Sequence, residues 1–422
     1  MRLDVAQYPV HDVRFADRLA WEQGTLTVQP EQLLALFRQE PHVHDVTLHL
    51  VRPGESARIT HVLDAVGPMA KVEGPSTVFP GFLGPPLTCG RGRTHRLSGL
   101  NLVQSAVLPE PQHGVLSVRE GIIDMSGPAA PYCAAAESIN LVAVCTPAPY
   151  ATNVEFDAAI RRSSLRVAQT LAEVTRNASP DEVRRYELAS CDADLPAVVY
   201  MAQVRQQGPL VQSFLYGHHL ENFVPTLIHP NELLDGALVS GNYTNSFKVP
   251  TYGRCHDPVL DSLMQRHGRD LRLLGVILTR GHCPGAFEKE RNAHYGAKLA
   301  QLLGADGAVL TTEGIGNGMI EFMQTVQACE RLGIRTVAVV LESGGDEPPV
   351  LGHVPEADAL VSTGGMAETL TLPAVERVVG GETIDFFTGA VVDAHSSLTL
   401  TPMELYASAW KMGLSGITAL DY

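Results

Sequence analysis

The chain contains 422 residues, of which 45% are hydrophobic, and carries a formal net charge of -15 at pH 7. The length favours two or three domains, and the composition is typical of a globular protein rather than a disordered one. The acidic balance disfavours nucleic acid and anionic membranes as partners, and the lack of a signal sequence or a long apolar span predicts a cytoplasmic protein.

Residues 1–150 show the alternation of apolar residues that is typical of strands. The clearest segments are 44–50, 63–66, 115–118 and 139–144. Gly and Pro residues separate them, and no long helical stripe is present, so we expect a β-rich domain. The segment CTPAPYATN (145–153) is the expected joint to the second part. Thr152-x-x-Glu155 has the form of a capping box and predicts a helix after this joint.

From about residue 195 short apolar runs alternate with glycine loops and helical stripes. The runs predicted as strands are 195–204, 233–239, 271–278, 307–311, 336–341 and 358–362. The helical stripes are 289–303 and 319–332, each followed by a glycine that is typical of a helix end. Strand, loop, helix and strand in succession indicate a parallel sheet with right-handed crossovers. We therefore predict an α/β fold, with a β-rich domain over 1–150 and an α/β region over 151–422 that contains a mostly parallel, Rossmann-like sheet.

The glycine loops of such a sheet meet at the carboxyl ends of its strands, where open α/β sheets bind their ligands. The best candidate is the loop EGIGNG (313–318), because the start of the following helix offers free N–H groups to a carboxylate or phosphate. The residues predicted to bind substrate are Glu313, Gly314, Gly316 and Asn317. The alternatives are a tight turn without a ligand and, for Glu313, a role as a helix cap.

Metal and nucleotide cofactors are not predicted. The seven cysteines are far apart and none forms a C-x-x-C pair, so buried thiols in a reducing compartment are expected. The glycine loop is not the G-x-G-x-x-G of dinucleotide-binding proteins, and no Walker-type G-K-[ST] follows any loop.

Eight segments resemble a single protein family in the same order along the chain. They are EQLLAL (31–36), RPGESARIT (52–60), KVEG…VFPG (71–81), GRTH (92–95), EGIIDMSGP (120–128), VPTLIHPNELLDGALVSGN (224–242), RHGRDLRLLGVILT (266–279) and LGADGAVLTTEGIGN (303–317). The family that they resemble is the proprotein subunit of component B of glycine/sarcosine/betaine reductase. A long colinear similarity of this kind is far more specific than any single motif.

The resemblance implies a chemistry divided between two subunits. In that family the proprotein cleaves itself within a loop, and the new N-terminus carries a pyruvoyl group whose carbonyl is thought to take the substrate amine as a Schiff base. A selenol or thiol of a separate partner subunit then attacks the α-carbon and releases the amine. The resemblance therefore implies an oxidoreductase with a disulfide as acceptor, a small amine or amino-acid substrate and a hetero-oligomer.

The cleavage loop is where this chain departs from the family pattern, which is approximately G-N-C-x-x-x-C-[DE]-K followed by a Thr-Tyr pair. The corresponding segment is GNYTNSFKVPTY (241–252). Aligning Lys248 and the Thr-Tyr pair places Ser246 opposite the second cysteine, while Tyr243 replaces the first. The resemblance thus implies Ser246 as the pyruvoyl precursor, Asn245 as the residue before the cleaved bond and Lys248 as a further catalytic residue.

A serine is chemically competent for this reaction, although it forms an ester less readily than a cysteine forms a thioester. The Ser246 hydroxyl would attack the preceding carbonyl, and β-elimination followed by hydrolysis would leave a ketone that serves as an electron sink. Three hypotheses follow: a pyruvoyl-dependent reductase subunit, an uncleaved homologue that binds substrate and partner in a biosynthetic complex, and a non-catalytic scaffold.

Overall fold

The computed structural model describes residues 1–110, 121–208, 210–243, 246–314, 316–342, 354–365, 368–386, 390–409 and 418–419. In the first part of the chain the elements are β1 (Arg2–Pro9), β2 (Asp12–Phe15), β3 (Ala20–Glu22), β4 (Thr25–Val28), α1 (Pro30–Arg38), β5 (Val43–Val51), β6 (Ala57–Ile59), β7 (Val62–Val66), β8 (Met69–Glu73), β9 (Gly92–Ser98), β10 (Leu100–Ser105), β11 (Ile123–Asp124) and β12 (Ile139–Pro147). The strands predicted at 44–50, 63–66 and 139–144 are therefore confirmed, whereas the one predicted at 115–118 lies outside the described residues.

The later elements are α2 (Asn153–Glu173), β13 (Glu182–Glu187), β14 (Ala197–Arg205), β15 (Ser213–Leu215), β16 (His218–His219), β17 (Thr226–Ile228), α3 (Pro230–Leu234), β18 (Leu238–Ser240), α4 (Thr251–Cys255), α5 (Pro258–Arg266), β19 (Arg272–Gly281), α6 (Ala286–Leu302), β20 (Gly307–Thr311), α7 (Asn317–Arg331), β21 (Arg335–Glu342), β22 (Ala359–Gly365), β23 (Leu370–Leu372), β24 (Arg377–Val379), β25 (Thr383–Asp385), β26 (Val391–Asp393), β27 (Leu398–Leu400) and β28 (Thr418–Ala419). Within the described residues, no helix is both long enough and apolar enough to span a membrane.

Two four-stranded sheets, with strand orders β13-β1-β9-β8 and β5-β12-β10-β7, surround the core of the first part of the chain. Helix α2 fills the space beside them with Ile160, Val167 and Leu171, all of which are fully buried. The predicted capping box begins this helix, since the Thr152 hydroxyl accepts the Glu155 N–H at 3.3 Å. The helix predicted after residue 152 is confirmed.

Segments beyond residue 150 complete the sheets of the first part. Strand β13 pairs with β1 in antiparallel register, and β24 pairs with β6 in parallel register. Helix α2 contacts β8 and β10. Because contacts cross residue 150 in this way, the division of the chain at that position stays a prediction.

The largest sheet has the strand order β17-β19-β14-β20-β21-β22-β28. Its five central strands are parallel to one another, whereas the edge strands β17 and β28 run antiparallel to them. A mixed α/β fold is thus confirmed. The sheet is mixed, so its Rossmann-like assignment stays a prediction.

Helices cover both faces of this sheet. Tyr200 and Ala202 of β14 pack with α5 on one face, while Val199 and Met201 pack with α6 and α7 on the other. Successive side chains of a strand point to opposite faces, which explains this division. Helix α5 lies in the long connection from β14 to β19, and helix α7 lies in the connection from β20 to β21, so the chain leaves the neighbouring strands β14 and β20 toward opposite faces. A crevice therefore opens between their carboxyl ends, as is typical of open α/β sheets.

The segment 233–239 was predicted as one strand, and this prediction was wrong. The structure forms helix α3 up to Leu234 and strand β18 from Leu238. The cause is a helix start just before the apolar run. The His229 ring accepts the Asn231 N–H, and the Glu232 side chain accepts the His229 N–H at 2.7 Å. Pro230 then occupies the first helical position, where proline is favoured.

Candidate active site

A cavity of about 90 Å³ lies at the crevice between β14 and β20. Tyr200, Ala202 and Gln203 of β14 form one wall, and residues 311–314 at the end of β20 form another. The remaining walls come from the segment 247–259, from β21 and from Ala409. The cavity is thus at the position that the parallel strand order predicts for a ligand.

Ser246, in the loop that the family resemblance singled out, does not itself line this cavity, but its neighbour Phe247 and its hydrogen-bond partner Ala409 do. It is only 3% exposed, and its carbonyl accepts the Ala409 N–H at 3.0 Å. The following residues Phe247 and Val249 line the cavity. Asn245, the predicted residue before the cleaved bond, lies outside the described residues. The structure therefore brings Ser246 to the carboxyl edge of the sheet, next to the space available for a small molecule.

Glu313 connects this loop to the sheet. One carboxylate oxygen accepts the Tyr243 hydroxyl and the Val249 N–H, each at 2.8 Å. The other accepts the Arg205 N–H at 2.9 Å and a hydrogen bond from the Arg254 guanidinium. The side chain is buried, and four donors use the accepting capacity of a carboxylate. These contacts position the loop; Glu313 also lines the cavity, and its predicted role in binding substrate stays a prediction.

The Lys248 side chain forms a second set of contacts with the same loop. Its ammonium group donates to the carbonyls of Leu63 and Gly241 and forms an ion pair with Asp64 at 3.1 Å. Asp64 also accepts the Thr251 hydroxyl at 2.6 Å. Burial lowers the pKa of Lys248, and the Asp64 charge opposes this effect. Because three acceptors use the three donors of the ammonium group, Lys248 acts on the loop backbone.

The glycine loop packs against a histidine. A Cβ atom at either Gly314 or Gly318 would lie 2.9 Å from Nε2 of His282, so a larger side chain would displace the ring. Gly316 is the N-cap of α7, and the Asn317 carbonyl accepts a hydrogen bond from Lys289 at 2.9 Å. Gly314 lines the cavity, whereas Gly316 and Asn317 are not among its lining residues.

A further polar group lines the cavity, and no sequence pattern predicted it. The Tyr200 hydroxyl donates to Asp257 at 2.7 Å and contacts the Thr311 hydroxyl at 2.8 Å. Burial raises the pKa of Asp257 and raises that of Tyr200 well above its ordinary value. The only local signal was Asp257-Pro258, a helix start, because Asp257 caps α5 through the Leu260 N–H.

A small, largely buried cavity with a few convergent polar groups at the edge of an α/β sheet is typical of subunits that bind small molecules. Residues 1–419 match the family model of glycine/sarcosine/betaine reductase component B subunits, and the chain therefore belongs to this family.

Named relatives support the same assignment. The chain is 32% identical to the glycine reductase complex component B subunits alpha and beta of Acetoanaerobium sticklandii, over 100% of both chains. It is 35% identical to the sarcosine reductase complex component B subunit alpha of Peptoclostridium acidaminophilum, over 90% of this chain and 89% of the relative. The betaine reductase complex component B subunit alpha of the same organism is 31% identical over 90% of this chain and 88% of the relative. No solved structure matches the chain. These names support a role as a subunit of a reductase complex.

Proposed function

We propose that this chain is the substrate-binding subunit of a reductase complex that cleaves a C–N or related C–heteroatom bond of a small amino acid or amine. A separate subunit would supply the attacking selenol or thiol, which makes the active enzyme a hetero-oligomer. The relatives named for glycine, sarcosine and betaine reductases support this reaction class. We further propose that Ser246 is the precursor of a pyruvoyl group.

The observation that carries this proposal is the position of Ser246. The residue is buried next to the lining of a cavity of about 90 Å³, well above the roughly 10–15 Å³ that a single water molecule needs. That space suits a small amino acid. The loop is held on both sides of Ser246, because Glu313 binds Tyr243 before it and Val249 after it.

The hydroxyl of Ser246 would supply the nucleophile that a pyruvoyl group at this position requires. Formation of the group would proceed through an ester between the Ser246 hydroxyl and the preceding carbonyl. β-Elimination would then leave residue 245 with a free carboxylate and residue 246 as dehydroalanine, and hydrolysis would release ammonia and leave the ketone. A ketone at this position would supply an electrophile for an amine and an electron sink for the bond to be broken.

The chain's own residues would position the reactants. Lys248 fixes the Gly241 carbonyl, and Glu313 fixes the segment that follows Ser246. Phe247 and the β21 residues Val339 and Val340 give the cavity an apolar wall that excludes water. Prior ordering of this kind reduces the entropy that must be lost when the reacting groups meet.

Denaturing mass spectrometry tests this proposal. Cleavage before Ser246 would give fragments of 245 and 177 residues, or about 26 and 19 kDa of the 45.4 kDa chain, and the smaller one would react with hydrazine. Ser246→Ala should abolish cleavage, and Ser246→Cys should cleave at least as fast because a thioester forms more readily. Ser164→Ala is the matched control, since Ser164 is also buried but lies in α2.

The uncleaved homologue is the competing proposal. The contacts of Glu313 and Lys248 also stabilise an uninterrupted loop. A single 45.4 kDa species that is inert to hydrazine and borohydride, in protein purified with its partner subunit, would support this alternative and remove the pyruvoyl mechanism.

A further inference from the structure

Arg205 is a buried cation without a carboxylate partner. It ends strand β14, is 5% exposed, and forms no ion pair with any of the described residues. Among the described residues, its buried Nε and Nη1 atoms have no hydrogen-bond acceptor, and Nη2 has a 3.4 Å contact with the Gln207 amide oxygen. A guanidinium group stays charged at any physiological pH, so burial in this state is costly unless an anion compensates it.

The neighbouring charges do not compensate Arg205. Glu313 bonds to the Arg205 backbone, but its charge is balanced by Arg254. Lys289 is paired in the same way with Glu321. Each of these two pairs balances its own charges, so neither supplies a counter-charge to Arg205.

His282 provides a second, independent observation at the same place. It follows β19 directly and is 8% exposed, and both of its buried ring nitrogens lack a hydrogen-bond partner in the part of the chain that the structure describes. Burial, the Arg205 guanidinium and Lys289 lower the pKa of His282 to about 3. The ring is therefore neutral at pH 7 and has one N–H to donate.

We propose that Arg205 and His282 bind the carboxylate of the amino-acid substrate. This inference deepens the proposed function and rests on it for the identity of the ligand. The guanidinium would form charge-assisted hydrogen bonds to the carboxylate, and the neutral imidazole would donate one more. The bound carboxylate would then accept hydrogen bonds from Arg205 and His282 donors that have no acceptor among the described residues.

The geometry connects this site to the reacting residue. Cζ of Arg205 lies 5.7 Å from the centre of the Tyr243 ring. Tyr243 precedes Ser246 by three residues, so their Cα atoms are at most about 11 Å apart. Glu313 touches both groups, because it accepts the Arg205 N–H and the Tyr243 hydroxyl. A bound amino acid could therefore place its carboxylate at Arg205 and its amine toward the loop.

Isothermal titration calorimetry with glycine, sarcosine and betaine tests this inference. Each should bind the wild-type chain, whereas glycinamide, which lacks the carboxylate, should bind at least tenfold more weakly. Arg205→Gln should weaken binding of the carboxylate probes by roughly 30-fold or more, the loss expected for a buried charge pair. Arg280→Gln is the matched control, because Arg280 is also buried and also has no ion pair among the described residues, but lies near the end of the neighbouring strand β19. It should leave the affinity within about twofold.

Measurement of thermal stability separates binding from folding. Removing an uncompensated buried charge does not destabilise a fold, so ligand-free Arg205→Gln should melt no lower than the wild type. If Arg205→Gln does not fold, Arg205→Lys tests the same site, because it keeps the positive charge. A lysine cannot reproduce the planar guanidinium donors, so its affinity for the carboxylate probes should be about tenfold lower.

Several outcomes would overturn the inference. They are unchanged affinity in either Arg205 variant, equal binding of glycinamide, or no binding by any of the three carboxylate probes. Arg205-dependent binding of inorganic phosphate that is tighter than glycine binding would instead make this a phosphate site. All titrations are repeated in Ser246→Ala. Binding that persists there supports the carboxylate site whether or not the pyruvoyl mechanism is correct.

Discussion

Replacing Glu313 by glutamine should destabilise the chain strongly, because the carboxylate accepts four hydrogen bonds. Each of its oxygens accepts two of them. Whichever way a glutamine amide is turned, its NH₂ group faces two donors instead of accepting from them. The Arg254 guanidinium, which is only 6% exposed, also loses its counter-charge.

The magnitude follows from the burial of this pair. Removing one partner of a buried ion pair costs about 3–5 kcal/mol, because the other charge stays buried and unpaired. Urea unfolding followed by circular dichroism should show this loss for Glu313→Gln. Glu290→Gln is the control: Glu290 is exposed on α6, and such surface substitutions change stability by less than about 0.5 kcal/mol.

A double variant isolates the contribution of the charge pair. Adding Arg254→Met to Glu313→Gln removes the unpaired cation and should restore part of the lost stability, giving a coupling free energy of about 1–3 kcal/mol between the two positions. The explanation would be refuted if Glu313→Gln were as stable as Glu290→Gln, or if the two substitutions were simply additive.

Three further predictions concern the loop, the assembly of the sheet and the pH dependence of stability. Lys248→Met should slow self-cleavage, with partial rescue by Lys248→Arg, because the loss of the hydrogen bond to Gly241 loosens the loop; a cleavage rate that falls only when the thermal stability falls would indicate a purely structural role. Residues 1–245 and 246–422 expressed as separate chains should co-purify, because β14 of the first lies between β19 and β20 of the second; independent elution in size-exclusion chromatography would contradict this pairing. Burial lowers the pKa of His95 to about 4, so its contribution to stability is present above pH 6.5 and is lost as the pH falls toward 4, by up to about 1.4 kcal/mol per pH unit. Between pH 7 and pH 5, the free energy of unfolding measured with urea should therefore fall by about 2 kcal/mol less in His95→Gln than in the wild type. An equal fall in both proteins would disprove the assignment.

The repeating patterns of the sequence determined most of the secondary structure. Apolar alternation located β5, β7 and β12, and glycine-terminated stripes located α6 and α7 within a few residues. The same patterns predicted that the glycine loops would meet at the carboxyl ends of parallel strands. They failed at 233–239, where the period of a short apolar run does not distinguish a helical turn from a strand.

The resemblance to a family directed attention to the loop 241–252, and the structure places Ser246 of that loop at the predicted crevice. The roles of the residues around it could not be inferred in the same way. Asp64 was the main omission, although a charged residue within the fully buried strand β7 is a recognisable signal of a buried partner. That partner is Lys248, far away in the sequence.

The sequence by itself therefore determined many of the longer elements and the family. Only the tertiary structure decided that Glu313 would be saturated by donors from β14, from the loop and from α4, and that Arg205 would be left without a counter-charge. The physical reason is that periodicity is a local property of the chain, whereas the partners of a buried charge are chosen by whichever distant segments the fold brings within hydrogen-bonding distance.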